Sequence, residues 1–253
     1  MTSLIPTLSV IIVAQNEAHD IRRCLESIKW ADEIIVFDSG STDGTQAICR
    51  EYTDKVFETD DWPGDGPQKN RALQQATSEW ILSLDADEEI PKELAKEIKF
   101  AILSNVYAAY TMPRKSFFCE KYIRFGAWAN EKILRLFKRE KGKFTDVFTH
   151  TRVIVDGSIG TLTTPMIHHA YPKLEEVLIK MNDYSTAGAE LRYAQGKKSS
   201  LTKALIRAFW AFFRSYFLFG GFLDGRAGFI LAVSIAEGTY YRYLKLMYLH
   251  RHK

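Results

Sequence analysis

Along the first hundred residues, solid apolar runs alternate with stretches whose apolar positions recur every three or four residues. LSVIIVA (8–14), EIIVFD (33–38), KVFET (55–59) and EWILSLD (79–85) are short, rich in β-branched residues and bounded by polar ones. That is the pattern of strands buried on both faces. Between them NEAHDIRRCLESI (16–28), STDGTQAICREY (41–52) and QKNRALQQA (68–76) have helical spacing, with Ser41 or Thr42 available to cap the second. PKELAKEIKFAIL (91–103) follows the fourth strand, with Pro91 near its first turn, where a missing N–H costs nothing. Strands separated by helices predict an α/β fold, a doubly wound layer with a parallel sheet covered on both sides.

Beyond residue 105 the pattern becomes mixed. YAAYTMPR (107–114), KILRLFKR (132–139) and THTRVIVDGSIGTL (149–162) read as strands, and Asp156-Gly157 between two alternating runs predicts a hairpin. From Pro172 onward the chain reads as helical, with Gly196 marking a break. The expected organisation is a body over 1–196 and a helical, amphipathic extension over 197–253.

Charge changes the picture of that extension. It has ten Lys and Arg against Asp224 and Glu237, a net of +8, so with +3 overall the first 196 residues carry −5. Lys203, Arg207 and Arg214 fall on one helix face among Phe and Trp, and the longest uncharged stretches run only over 215–223 and 227–236. A membrane span needs about 20 apolar residues. The extension therefore predicts a helix lying on an anionic membrane surface, or a buried helix whose arginines reach outward to water. Interleaved apolar bulk argues against nucleic acid as the partner. The N-terminus lacks a basic leader and reads as a first strand. Three cysteines without metal or disulfide spacing read as reduced thiols, and the expected location is cytoplasmic.

In doubly wound sheets ligands sit beyond the carboxyl ends of the strands. Here those ends are Ala14-Gln15-Asn16-Glu17, Asp38-Ser39-Gly40-Ser41 and Asp85-Ala86-Asp87, all polar. Residues two apart on an extended strand point the same way, so Asp85 and Asp87 are expected to face one divalent cation, Mg²⁺ or Mn²⁺. Glu88 and Glu89 are read instead as acids favouring the N-terminus of the next helix, and Asp43-Gly44 as a helix start.

SVIIVAQNEAHDIRRCLESI, FDSGSTDGT, QKNRAL and WILSLDADE, in that order, resemble the family 2 glycosyltransferases of the GT-A fold. The resemblance implies a Rossmann-like mixed sheet flanked by helices, with a cation on the acidic motif gripping the diphosphate of a nucleotide sugar. It places Ala14, Asn16 and Glu17 near the ribose, Asp38 at the uracil or ribose, Lys69 near the base or phosphates, and Asp85 at the metal and donor. His168, in Ile167-His168-His169-Ala170-Tyr171, matches a strand-end histidine near the metal or diphosphate. Ser39 stands where many relatives have a second Asp. FTDVFTHTRVIVDG occupies the place of a His-Glu pair, but this chain has His150-Thr151. Asp146, His150 and Glu131 remain as candidate bases, with a structural reading beside His150 and a turn reading beside Asp146. Arg135 reads as a phosphate or acceptor clamp, or as an arginine on an exposed strand face.

GDGPQKNRAL, ILRLFKR, YSTAGAELRYAQGKKSSLTKAL and FLDGRAGFILAVSIAEGTYYRYLKL are similar to the lipopolysaccharide-core enzymes that add β-1,4-linked glucose to an inner-core heptose. That implies UDP-glucose as donor, a lipopolysaccharide core acceptor, inversion with one general base, and peripheral attachment to the cytoplasmic face of the inner membrane. The alternatives are transfer to a polyprenyl phosphate or another surface polysaccharide, a phosphohydrolase with an Asp nucleophile, and a non-catalytic sugar-nucleotide-binding or membrane-scaffold protein.

Overall fold

The computed structural model describes residues 6–119, 121–129, 131–146, 151–171 and 173–250. The chain forms two compact units, one of 1–114 with 132–169, the other of 115–131 with 170–253.

The first unit starts with β1 (Leu8–Ala14), α1 (Ile21–Ser27), β2 (Glu33–Asp38), α2 (Thr45–Arg50), β3 (Val56–Glu58), α3 (Asp65–Gln75) and β4 (Trp80–Asp85). Strands β1 to β4 are parallel, in the order β3-β2-β1-β4. The chain continues through β5 (Glu88–Glu89), α4 (Lys92–Ser104), β6 (Ala109–Phe118), β7 (Lys121–Tyr122), β8 (Lys132–Lys138), β9 (Gly142–Phe144), β10 (Val153–Val155), β11 (Ile159–Thr161) and β12 (Met166–Tyr171). The strand order β4-β8-β6-β12-β5 extends the sheet, and β8 runs antiparallel to β4, so the sheet is mixed.

Strand alternation explains why the central runs read as unbroken apolar sequence. Val10, Ile12 and Ala14 of β1 face a layer made by α1, α2 and α4, where Ile21, Leu25, Cys49 and Leu94 are buried. Ile11 faces the other way, with Ile35, Ile81 and Phe137, against Ala72 of α3 and Phe144 of β9. Both faces exclude water, so no position in these strands has to be polar.

Three expectations are corrected here. Asp156-Gly157 is not a hairpin: β10 pairs antiparallel with β9, whereas β11 leaves to pair parallel with β6. Gly157, at φ +138°, lets the chain switch partners, and strands of three residues are too short for alternation to reveal which partner they take. Ser41 and Thr42 do not cap α2. Gly44 occupies that position, and the Asp43 carboxylate takes the Thr45 N–H and hydroxyl instead, as the reading of Asp43-Gly44 as a helix start requires. Nor do Glu88 and Glu89 lie at the start of α4. They form β5, paired with Ile167 and His168 of β12.

The second unit holds α5 (Leu174–Ala194), α6 (Leu201–Phe213) and α7 (Arg226–Leu249), with a π turn over Arg214–Leu218 and a 3₁₀ turn over Gly221–Asp224 between the last two. Phe118, Ile123, Val177 and Leu231 form its core. The buried Asp224 carboxylate accepts the backbone N–H groups of Arg124 and Phe125 at 2.9 and 2.8 Å. Gly228 must lack a side chain, because a Cβ there would lie 1.9 Å from the Gly221 carbonyl oxygen.

At the amino-end edge of the central strands, Glu33 accepts from the Ser9 hydroxyl, the Lys55 ammonium and, at 2.9 Å, the Thr77 N–H. Burial raises this carboxyl, but those donors outweigh it and bring it down to about 2. A carboxyl lowered in the folded state stabilises above its unfolded value of about 4.3 and loses that contribution as pH falls through the folded value. Glu33→Gln is expected to cost on the order of 2 kcal/mol at neutral pH, and the difference from wild type should fade between about pH 4 and pH 2. Urea titrations at a series of pH values measure it, and a pH-independent difference would contradict it.

Candidate functional site

The register of the central strands sets three polar chain ends side by side: Ala14 pairs with Asp38, and Val13 pairs with Asp85. The expectation of one shared rim therefore holds in the backbone itself. Past β1, Asn16 takes a left-handed conformation, φ +55°, that asparagine tolerates. The Asn16 N–H donates to the Ser41 hydroxyl at 2.8 Å, and its amide oxygen accepts the Thr42 N–H at 2.9 Å. The Glu17 N–H donates to the Thr45 hydroxyl, the Ala18 N–H to Asp43, and the Gln15 amide to the Ser39 carbonyl.

Asp38 is fully buried at the centre of this loop pair. One carboxylate oxygen accepts the Ser41 N–H at 2.8 Å and the Gln46 amide at 2.7 Å, and the other accepts the Ser41 hydroxyl. A carboxylate fixed from three directions is a rigid acceptor for one further polar partner.

Asp85 is held differently. Lys69 of α3 donates to one of its oxygens at 2.8 Å and also reaches Asp65 at 3.2 Å, while Arg135 of β8 donates to the other oxygen. Arg135 also binds Glu88 at 2.6 Å, Arg114 lies 3.6 Å from the same Glu88, and the Asp85 N–H closes the ring by donating to Glu88 at 3.0 Å. Burial pushes the Asp85 carboxyl up, but the Arg135 charge and then the Lys69 charge outweigh it and hold it well below the usual carboxylate range. Burial raises Glu88; Arg135 opposes that rise and the adjacent Asp85 charge adds to it. Arg135 is thus neither a free clamp nor an arginine on an exposed face: it is buried, and its Nη2 group donates to two acids.

Just past Asp85 the chain leaves the extended conformation, with 86–87 forming a turn between β4 and β5. Alternation along a strand no longer applies, and the two aspartates are held by different partners. Asp87 Oδ2 stands 3.3 Å from His168 Nε2, and both side chains keep 16 % exposure. The Asp87 carbonyl accepts the His169 N–H, and His169 Nε2 lies 3.0 Å from Glu89. Among the described residues no group of three or more His, Cys, Asp or Glu is arranged to hold a metal. The Asp87–His168 pair still suits a cation: an oxygen and a nitrogen donor 3.3 Å apart are spaced near the edge of an octahedron with about 2.1 Å bonds.

Of the candidate bases, Asp146 is exposed beside α3 and accepts the Asn70 amide at 3.1 Å. Glu131 belongs to the second unit, and His150 lies outside the described residues. Gly66 of α3 closes on this segment, since a Cβ there would meet the Thr145 carbonyl oxygen at 1.9 Å. No disulfide joins the three cysteines, and the Cys24 thiol, which donates to the Asp85 carbonyl, is kept protonated by burial and by Glu88, Asp87 and Asp85.

Comparison with known proteins decides what this rim belongs to. The family model described as glycosyl transferase family 2 matches residues 9–159. The chain belongs to glycosyl transferase family 2. The lipopolysaccharide core biosynthesis glycosyltransferase LpsC of Rhizobium meliloti is 30% identical over 244 residues, covering 94% of this chain and 89% of that protein. An uncharacterized glycosyltransferase of Rickettsia bellii is 33% identical over 257 residues, covering 94% of this chain and 85% of its own length. The crystal structure of S. aureus TarS matches with a TM-score of 0.50 at 17% identity, over 94% of this chain and 55% of that one, a likeness of fold. The fold is GT-A-like, a mixed sheet flanked by helices with helices at its C-terminal end.

Gln46, Asp65, Asn70 and Arg114 bind residues of the rim and its ion cluster and were not singled out from sequence, and Glu88 was read only as a helix-start acid. One signal was present: an arginine inside the apolar run ILRLF requires buried acids, and ADEE supplies them. Removing one partner from such a network costs about 3–5 kcal/mol. Arg135→Met should lose stability of that order in chemical denaturation, and adding Glu88→Gln should restore at least about 1 kcal/mol, because the second change removes an uncompensated acid. Simple additivity of the two losses would contradict the network.

Proposed function

We propose that this family 2 glycosyltransferase is an inverting, divalent-cation-dependent enzyme that moves glucose from UDP-glucose to a heptose of the lipopolysaccharide inner core. The reading rests first on the rim: the strand register brings Asp38, Asp85 and the turn carrying Asp87 to one edge. The similarity to LpsC along nearly the whole chain favours a lipopolysaccharide core acceptor.

In this reading Ala14, Asn16 and Glu17 line the ribose, and the fixed Asp38 carboxylate accepts from the uracil or ribose. Asp87 and His168 hold the cation, with the imidazole nitrogen favouring Mn²⁺ over Mg²⁺. When bound, a divalent cation neutralises negative charge building on the departing diphosphate. Asp85 stays an anion through Lys69 and Arg135 and orients Lys69 at the donor side of the rim. Inversion needs one base for the acceptor hydroxyl and no enzyme nucleophile. We assign that role to Asp146, an exposed carboxylate steadied by Asn70. The basic second unit keeps the enzyme peripheral on the cytoplasmic face of an anionic inner membrane, where a lipid-anchored acceptor is presented. No helix among the described residues is long and apolar enough to cross a membrane.

Calorimetry with Mn²⁺ and UDP should show each increasing the affinity for the other, and Asp87→Asn should abolish that mutual effect. Glucose transfer to core-truncated lipopolysaccharide should fall about a hundredfold or more in the same variant. Independent binding of Mn²⁺ and UDP by the unaltered protein would reject the cation assignment. Transfer to a polyprenyl phosphate and not to the core would reject the acceptor.

A further inference from the structure

Within the second unit, four cations converge with no carboxylate paired to them among the described residues. The guanidinium carbons of Arg192 and Arg207 lie 5.5 and 6.0 Å from the centre of the Tyr243 ring, and Lys203 Nζ lies 5.8 Å from it. Arg242, next in sequence to Tyr243, has its Nε buried without a hydrogen-bond partner among the described residues. Burial and the neighbouring Arg192 charge both push the Arg242 guanidinium below its ordinary value. None of these four residues forms an ion pair with a carboxylate among the described residues. Lys203 donates to the Lys198 carbonyl at 2.9 Å, whereas Lys245, on the helix of Tyr243, is satisfied by the Asn182 carbonyl and side chain, the Ser185 hydroxyl and the Thr186 hydroxyl. The ring face offsets part of the charge on three of the cations, and the C-terminal end of α5 offsets part of the charge on Arg192. The remainder has no counter-ion among the described residues.

Next to this cluster, α6 turns a wide apolar face to solvent. Ala204 and Ala211 are buried, whereas Leu205, Ile206, Phe209 and Trp210 are 54%, 63%, 69% and 48% exposed. At 100° per residue, Lys203 and Arg207 lie between the buried alanines and that apolar stripe. An exposed stripe of large apolar groups with cations along its border suits the boundary between lipid headgroups and acyl chains. A free anion would match the charges but leave the stripe in water.

We infer that Arg192, Lys203, Arg207 and Arg242 around Tyr243 form a binding site for the phosphate of an anionic phospholipid, seated as the apolar face of α6 enters the bilayer surface. This rests on the reading that the second unit binds an anionic membrane, and it names the site that does so. Charge complementarity decides the occupant: four uncompensated cations call for phosphate, and the adjoining apolar stripe calls for its lipid tail.

The full chain is sedimented with phosphatidylcholine vesicles, alone or containing about 30% phosphatidylglycerol, at near-physiological salt. The unaltered protein should bind only the anionic vesicles. Arg192→Gln with Arg207→Gln should weaken that binding about tenfold or more, whereas Lys92→Gln with Lys96→Gln, an equal loss of charge on exposed positions of α4, should change it less than about twofold. If the arginine pair lowers the melting temperature, Lys203→Gln with Arg207→Gln, both exposed on α6, repeats the measurement. Equal weakening by the Arg and α4 pairs would overturn the site while leaving membrane binding by net charge intact. No binding of the unaltered protein to anionic vesicles would overturn the membrane reading itself. Displacement by inorganic phosphate at constant ionic strength would replace the lipid with a free anion and overturn the assignment.

Discussion

The ion cluster centred on Arg135 is the constraint on which the polar rim depends. A guanidinium buried in the middle of a sheet is tolerated only where acids meet it. Asp85 and Glu88 do so from either side of the turn between β4 and β5. The cluster therefore fixes where β4 ends, where the chain turns, and which way Asp87 points. Lys69 extends it into α3, tying the helix on the opposite face of the sheet to the same carboxylate. Asp85 remains ionised because two cations surround it, and Glu88 is the member whose charge is resisted. The rim is thus an acidic edge with internal compensation, on which Asp87 and His168 stand 3.3 Å apart.

The structure gives different partners to two carboxylates that the spacing of one acidic motif sets together. Asp85 is held by protein cations and acts as an anchor for Lys69 and Arg135. Asp87 lies beyond the strand, where its partner is an imidazole on β12. In the proposed reading, donor-side positioning and cation binding depend on different carboxylates. Preorganisation of that kind lowers the cost of aligning charge as a leaving group departs.

Much of the first unit could be read in the sequence for a plain reason. Strands covered on both faces must be apolar throughout, so LSVIIVA, EIIVFD and WILSLD stand out, and a parallel register then places their polar ends together. Asp43-Gly44 was legible because a carboxylate before a helix has few other uses. What stayed hidden depends on long-range pairing. Glu88 is 47 residues from Arg135, and β5 is only two residues long, so no periodicity connects them. Strands β9, β10 and β11 have three residues each, too few to show that β11 joins β6 and not β10. The resemblance to family 2 placed Asp38, Lys69 and His168 at the rim but could not reveal that Lys69 and Arg135 share Asp85. The departure at Thr151 leaves the choice of base to chemistry, since His150 lies outside the described residues.

The central claim is that the rim keeps Asp85 in its ion pairs while Asp87 and His168 are the residues that take a cation. The most direct measurement is a crystal structure with Mn²⁺ and UDP, using the anomalous signal of manganese to locate the ion. The account predicts the ion bonded to Asp87 and His168, with Asp85 still on Lys69 and Arg135. An ion elsewhere, or an Asp85 carboxylate that has left both cations to ligate the metal, would contradict it.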